Sequence, residues 1–197
     1  MFASGRGTNF SAIARAVKKG KIRAELALLV CDQPRAAVIA KAKRARVKVF
    51  LARLEDFSCK NDFEAGIIRR LKAEKIGLIA LAGFMRLLSP EFVRAFKNKI
   101  LNIHPALLPA FKGGHAIRDA FAYGAKVTGV TVHFVDEQMD HGPVILQQAI
   151  SLRPGEGLAS LEARIHRLEH RLYPQAIKLA VEGRLRLKGR KVCPRAN

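Results

Sequence analysis

Short apolar runs alternate with helical patterns along the first half of this sequence, and that alternation limits the possible folds more than any other feature. The first helical pattern places apolar residues three or four positions apart, at Phe10, Ile13, Ala14 and Val17. Thr8 or Asn9 is expected to cap its start, and Gly20 is expected to follow its end.

Further strands and helices are predicted in strict alternation after this helix. Up to residue 103 they are strands at 25–31, 47–50, 78–81 and 100–103, with helices at 36–46, at 61–74 and from Ser89-Pro90 onward between them. Strands that alternate with helices of this length form right-handed βαβ units. We therefore predict an α/β fold with an open, mostly parallel twisted sheet flanked by helices.

The second half contains longer strands and one long helix. A loop rich in proline and glycine leads to a predicted helix at 116–123 and to strands at 127–135 and 144–150. Apolar and polar residues alternate in the first of these strands, which predicts a half-buried strand. Apolar residues then recur at helical spacing from Leu158 to Leu179, so we predict an amphipathic helix that Pro174 kinks and Gly183 ends. A terminal hairpin is predicted at 184–192.

Composition excludes several classes of protein. The longest apolar runs are too short for a membrane span, and the first residues do not resemble a secretory signal, so a cytoplasmic protein is expected. The formal net charge of +20 would attract nucleic acid, anionic membranes or phosphorylated small molecules. Because the basic residues are scattered, we interpret them as solvated helix faces and do not expect specific nucleic-acid binding.

The N-terminal turn is a candidate phosphate site. The segment Ser4-Gly5-Arg6-Gly7-Thr8-Asn9 is a glycine-bearing turn that leads into the first predicted helix. Exposed N–H groups at a helix N-terminus suit a phosphate, but an ordinary turn followed by an N-cap gives the same pattern. Spacing alone leaves both interpretations open.

A second candidate site lies at the end of the predicted strand 100–103. Asn102 and His104 are two positions apart, so their side chains point to the same face of the strand. Ligands bind at this edge of open parallel sheets, where an amide can stabilise an oxyanion and an imidazole can transfer a proton. Asp140, in an acidic loop between strands 127–135 and 144–150, can orient His104 if that loop folds back. A structural histidine and an ordinary hairpin turn are the alternatives.

Five segments carry a resemblance to a known family: SGRGTN at 4–9, AGFMRLLSP at 82–90, NIHPALLP at 102–109, MDHGPVI at 139–145 and LEHRLYP at 168–174. In this order they are similar to the formyltetrahydrofolate-using transferases and hydrolases, and the last segment favours the glycinamide-ribonucleotide formyltransferases among them. The resemblance implies a Rossmann-like formyltransferase fold in a single domain over 1–197. About 1–100 would form its phosphate- and ribonucleotide-binding half, and about 101–197 its catalytic and folate-binding half.

The resemblance also implies an activity in purine (IMP) biosynthesis. The chain would move the formyl group of its co-substrate, 10-formyltetrahydrofolate, onto the amine of glycinamide ribonucleotide, by direct attack, through a tetrahedral intermediate and without a metal. Asn102 and a protonated His104 would stabilise the formyl oxygen as it gains negative charge. Asp140 would hold the imidazolium and help a water molecule to shuttle protons. The expected assembly is a monomer or a homodimer.

Substrate contacts follow from the same resemblance. Gly7, Thr8 and Asn9 match the family's phosphate-binding turn, and Glu169 matches a carboxylate that contacts the ribose. His115 matches a histidine near the active site. The residues expected to bind folate are Lys60, near the glutamate tail, together with Met85, Arg86, Leu87, Leu88 and Asn102.

The sequence departs from the family pattern in two places. Relatives carry an apolar first strand before the glycine turn, whereas here Met1, Phe2 and Ala3 precede Ser4, and three residues span only about 10 Å. We expect this strand to be missing or stunted, which a truncated or downstream start would explain. The second departure is Gly114, where a bulkier residue is expected.

Three other interpretations remain. With water as the acceptor, the chain would be a formyltetrahydrofolate deformylase, although that relative lacks the EHRLYP run. A hydrolase with zinc ligands is the second, although the spacing of the candidates matches no known zinc motif: His133, Asp140, His141, His166 and His170. A nucleic-acid-binding module is the third, supported by net charge alone.

Overall fold

A computed structural model describes residues 1–194 of the chain, so the last three residues of the predicted domain, 195–197, lie outside the described residues. The chain divides into two compact units, the first running from Met1 to Leu101 and the second beginning at Asn102. The division falls within strand β4, Ile100–His104, whose first two residues belong to the first unit and whose last three belong to the second.

The first unit has the predicted alternation of strands and helices. Its elements are α1 (Thr8–Lys18), β1 (Leu28–Cys31), α2 (Ala37–Arg44), β2 (Lys48–Leu51), a 3₁₀ turn (Leu54–Asp56), α3 (Lys60–Ala73), β3 (Ile79–Leu81) and α4 (Pro90–Ala95). β1 and β2 pair in parallel, with Leu28 opposite Lys48, and β3 lies beside β4. The α/β prediction is thus confirmed here, with element ends shifted by a few residues.

The first residues of the chain form a very short piece of strand. Phe2 makes parallel bridges to Val30 of β1 and to Leu81 of β3. Its N–H donates to the Ala80 carbonyl at 2.9 Å, and its side chain is fully buried. The expected first strand is therefore present in stunted form, because its bridges to both neighbouring strands are made at a single residue.

Helix starts in this unit agree only in part with the sequence predictions. Pro90 opens α4 as predicted, and the Ser89 hydroxyl accepts a hydrogen bond from the Phe92 N–H at 3.2 Å. The predicted cap of α1 by Thr8 or Asn9 is wrong. Gly7 occupies the N-cap position with a left-handed φ of 67°, and no side chain caps this helix.

The second unit contains the longer strands and the long helix. After the last residues of β4 come α5 (Ala116–Ala122), β5 (Val127–Phe134), β6 (Val144–Ser151), α6 (Leu158–Val181), β7 (Leu185–Lys188) and β8 (Lys191–Pro194). The strand order is β4-β5-β6, with β5 and β6 antiparallel, and β7 and β8 form the predicted hairpin. Pro174 lies inside α6 without ending it.

Strand β5 differs from the half-buried strand that its alternation predicts. All of its residues from Thr128 onward are buried. The polar Thr131 lies under the segment that follows β4, because its hydroxyl donates to the Ala106 carbonyl at 2.7 Å and accepts from the Leu108 N–H at 3.1 Å. A strand whose polar face is covered by chain rather than by water keeps the alternating pattern but loses its exposed face.

Candidate active site

The end of β4 carries the predicted amide and imidazole. Asn102 is half-buried, and His104 is 3% exposed. The His104 ring lies between two hydrogen-bond acceptors, with Nε2 2.7 Å from the Phe111 carbonyl oxygen and Nδ1 3.3 Å from Oδ2 of Asp140. Because an imidazole satisfies two acceptors only when both nitrogens carry protons, this geometry suits the charged ring.

Burial opposes that charge. Removal from water lowers the pKa of His104 below its ordinary value, although the Asp140 carboxylate and the Phe111 carbonyl both favour protonation. The pKa is lowered overall, so the neutral ring predominates at neutral pH. A negative charge that develops beside this ring would raise its pKa again.

Asp140 reaches the same place from the loop between β5 and β6. Its backbone has a left-handed φ of 48°, and its Oδ2 accepts a hydrogen bond from the Gly113 N–H at 2.9 Å. Burial alone would raise the pKa of Asp140, but the hydrogen bond from the Gly113 N–H and the attraction of His104 outweigh it and leave the pKa below its ordinary value. Asp140 is therefore a carboxylate at neutral pH.

His133 joins this cluster and was missed as a functional residue by sequence reasoning. It is 2% exposed and its Nδ1–H donates to the Phe134 carbonyl at 2.7 Å, so Nε2 is free to accept. The Asn102 Nδ2 lies 3.2 Å from that Nε2 and 3.4 Å from Oδ1 of Asp140. The sequence signal that could have identified His133 is its position two residues after Thr131, on the same face of the predicted strand. In the sequence analysis His133 was named only as a candidate zinc ligand.

The other zinc candidates do not gather around this cluster. His141 pairs with Asp136, whose Oδ2 is 2.7 Å from Nδ1, and His166 pairs with Glu169 at 3.0 Å. Among residues 1–194, no group of three or more histidine, cysteine or acidic side chains is arranged to hold a metal ion.

The predicted phosphate turn lies at the start of α1. Gly7 is tightly packed as well as left-handed, because a Cβ added to it would lie 2.5 Å from Cγ2 of Val38. Thr8 and Asn9 form the first turn of α1 and are half-buried. With no side-chain cap on this helix, its first N–H groups point toward a position where an anion can be bound.

The predicted folate residues of the first unit line one cavity of about 270 Å³. Met85 and Leu87 are 77% and 58% exposed, an unusual state for large apolar side chains. The Arg86 guanidinium is turned toward Asp32, with Nε 2.6 Å from Oδ2. The full lining is Leu54, Lys60, Phe63, Glu64, Phe84, Met85, Arg86, Leu87 and Leu88.

Two further predicted residues lie in the second unit. Glu169 is in α6, 5% exposed, with Oε2 3.0 Å from Nδ1 of His166. His115 is exposed at the N-cap position of α5 and makes no side-chain capping bond. The Glu169 carboxylate lies close enough to His104 for its charge to favour protonation of that ring.

The fold and this cluster define an α/β enzyme equipped for acyl-type group transfer, and the sequence comparisons agree. Residues 1–177 match the family model described as formyl transferase, and the chain belongs to that family. It is 47% identical over 178 residues to the phosphoribosylglycinamide formyltransferase of Bacillus subtilis, an alignment that covers 90% of this chain and 91% of the relative.

Solved structures of glycinamide ribonucleotide transformylases also resemble this chain. The glycinamide ribonucleotide transformylase 1 of Symbiobacterium toebii superposes with a TM-score of 0.95 at 42% identity, covering 98% of this chain and 91% of that one. For the corresponding protein of Geobacillus kaustophilus the TM-score is 0.89 at 51% identity, with 91% and 96% covered. Its similarity to these relatives identifies the chain as a one-carbon transferase.

A formyltetrahydrofolate deformylase from Pseudomonas syringae shares the fold alone. Its TM-score is 0.90, but its identity is 18%, and the match covers 98% of this chain and 64% of that one. Within residues 1–194, no helix combines the length and the apolar character that crossing a membrane requires.

Proposed function

We propose that this chain transfers the formyl group of 10-formyltetrahydrofolate to the amine of glycinamide ribonucleotide in purine biosynthesis. The observation that carries the proposal is the cluster of Asn102, His104 and Asp140 around the buried His104 ring, in a chain that matches the formyl transferase family over 1–177. An amide donor and an imidazole that both lie within hydrogen-bonding distance of one carboxylate suit a reaction that creates an oxyanion and moves a proton.

In the first step the substrate amine forms a bond to the formyl carbon, and the carbonyl π electrons move onto the formyl oxygen. Asn102 and His104 stabilise that oxygen. The Asn102 bond to Asp140 is, at 3.4 Å, longer than its bond to His133 at 3.2 Å, so it is the bond that Asn102 exchanges for the substrate oxygen. The developing charge also raises the pKa of His104, which burial lowers, so the ring takes up the proton that the attacking amine releases and gives it up again when N10 is protonated.

In the second step the tetrahedral intermediate collapses. The carbonyl re-forms, the bond from carbon to N10 of the folate breaks, and the proton lost by the attacking amine is delivered to N10. Asp140 assists this transfer through water and balances the charge on His104, since its low pKa keeps it ionised. The chain forms no covalent intermediate with the formyl group in this scheme.

The ribonucleotide phosphate is proposed to bind at Gly7, Thr8 and Asn9. The uncapped start of α1 supports this assignment, because its N–H groups and helix dipole favour an anion. Glu169 is proposed to contact the ribose, and His115 is proposed to lie near the reacting groups.

The folate is proposed to bind along Met85, Arg86, Leu87 and Leu88, with its pterin against the exposed apolar side chains and its polar edge on backbone groups. Two exposed apolar side chains beside a cavity of about 270 Å³ support this assignment. Lys60 lines the same cavity and carries a positive charge, so it can attract the glutamate tail. We further propose that the enzyme is cytoplasmic and acts as a monomer or a homodimer.

The test is to follow the consumption of 10-formyltetrahydrofolate spectroscopically, without added metal, in the presence and absence of glycinamide ribonucleotide. Consumption that requires the ribonucleotide is the expected result. Consumption at the same rate without it would identify a deformylase and overturn the transferase assignment. A chelator should leave the rate unchanged, because no step in the scheme uses a metal.

A further inference from the structure

Asp32 is a buried carboxylate that the proposed reaction does not use. It follows β1 directly and is 7% exposed. A carboxylate removed from water is costly unless it is hydrogen-bonded or paired with a cation. Its partners therefore indicate what this residue is for.

Each oxygen of Asp32 holds a different segment of the first unit. The Ser4 hydroxyl donates to Oδ1, and the Arg86 Nε donates to Oδ2 at 2.6 Å. Ser4 begins the turn that leads to Gly7 and α1. Arg86 lies in the segment that lines the cavity, where its guanidinium also sits 5.6 Å from the ring centre of Phe63.

Both segments depend on such contacts for their position. Residues 4–7 and 82–89 lie outside the helices and strands, so no continuous ladder of backbone bonds fixes them. The backbone adds one link between them, from the Ser4 N–H to the Gly83 carbonyl at 3.2 Å. Hydrogen bonds to an ionised carboxylate are stronger than neutral ones, so the two Asp32 bonds are the main polar link between these segments.

Arg86 also neutralises Asp32. An unpaired negative charge beside the N-terminal turn would repel a phosphate bound at the start of α1, whereas the Arg86–Asp32 pair leaves the local charge balanced. The same pair fixes the direction of the Arg86 side chain and thereby the backbone of its segment.

We propose that Asp32 is a positioning residue that joins the ribonucleotide turn to the folate segment, so that both substrates bind to a correctly placed surface only when its charge is present. This inference rests on the proposed function, because it takes the two segments as the substrate sites. The Asp32 carboxylate takes no part in formyl transfer itself.

The experiment is steady-state kinetics of Asp32→Asn, Ser4→Ala, Arg86→Gln and the double variant Asp32→Asn/Arg86→Gln, each compared with wild type for both substrates. Asp32→Asn should raise both KM values about tenfold, as loss of a charged hydrogen bond does, and leave kcat within about threefold. Ser4→Ala should raise the ribonucleotide KM alone. In the double variant the increase in KM should be smaller than the product of the increases in the Asp32→Asn and Arg86→Gln variants, because both substitutions remove the same ion pair.

A matched control is Glu74→Gln. Like Asp32, Glu74 is an ion-paired carboxylate, here with Lys48 and Arg70, and it lies at the end of α3 outside both segments. The KM values of this variant should therefore equal those of wild type. KM values within about twofold of wild type for Asp32→Asn, or fully multiplicative effects in the double variant, would overturn the proposal. If Asp32→Asn does not fold, the Ser4→Ala variant decides, and an unchanged ribonucleotide KM in that variant would also overturn the proposal. A wild-type chain without ribonucleotide-dependent activity would instead refute the proposed function.

Discussion

Gly142 offers a sharp test of the catalytic loop. It lies two positions after Asp140, and a Cβ added to it would lie 1.8 Å from the Phe134 carbonyl oxygen. Real Cβ atoms do not approach closer than 3.0 Å, so Gly142→Ala requires a displacement of about 1.2 Å, the difference between these two distances. Backbone atoms cannot rotate away as a flexible side chain can, so the loop or the end of β5 must move.

The displacement acts on the active site from two sides. The Phe134 carbonyl accepts the His133 Nδ1–H at 2.7 Å, and the loop carries Asp140. A misplacement of about 1 Å in a catalytic group can cost about 100-fold in rate, so we expect kcat to fall by that factor. The KM for the ribonucleotide should change little, because the turn at Gly7 belongs to the other unit.

The assay is ribonucleotide-dependent formyl transfer, measured alongside thermal unfolding. Overpacking of this kind costs about 1–3 kcal/mol, so the variant should still be folded at the assay temperature. Gly114→Ala is the matched control, since an added Cβ there meets nothing within 4 Å. A kcat for Gly142→Ala within about threefold of wild type would refute the link between loop position and rate.

Three further predictions concern the cluster, the N-terminus and the hairpin. His104→Ala and Asp140→Ala should each lower kcat by about 100-fold or more with nearly unchanged ribonucleotide KM, because both act on the transition state; steady-state kinetics that show a loss confined to KM would contradict those roles. In a polypeptide with a free α-amine, burial lowers the pKa of the Met1 amine from 8.0 to about 5, so the amine takes up a proton on unfolding. Stability should fall by about 4 kcal/mol as the pH decreases from 8 to 5, and urea titrations should show this slope in the free chain but not after N-terminal acetylation. Arg190 donates from Nη2 to the His141 carbonyl at 2.5 Å, so Arg190→Ala should loosen the catalytic loop and lower kcat about threefold, and equal kcat values would argue against this contact.

Much of the fold follows from residues whose environment is local. The spacing of Phe10 and Ile13, the Ser89-Pro90 start and the long apolar stripe that ends before Gly183 each predict an element that the structure contains. The start of α1 was assigned incorrectly because a glycine in a left-handed conformation fills the place of a capping side chain. Strand β5 was predicted to be half-exposed because its covering segment is distant in sequence.

The cluster was predictable in its parts but not in its charge state. The positions of Asn102 and His104 on one strand, and of Asp140 in a loop that can return to them, follow from alternation and loop chemistry. The lowered pKa of His104 does not, since it depends on how deeply the ring is buried. His133 and Asp32 were missed for a related reason, because each is defined by partners that only the folded chain brings near.

The position of Phe2 sets the order in which the first unit can be completed. Its bridges reach Val30 and Leu81, so Phe2 cannot complete its pairing until β3 has been made. Contacts between residues so distant in sequence slow folding, because the chain loses the entropy of closing a long loop before the contact can stabilise it. Its ring then packs edge-on against Phe84 and Phe92, with ring centres 5.1 and 6.0 Å away. During synthesis, therefore, the slot between β1 and β3 fills late, and the apolar side chain of Phe2 remains available to chaperones until β3 has been made.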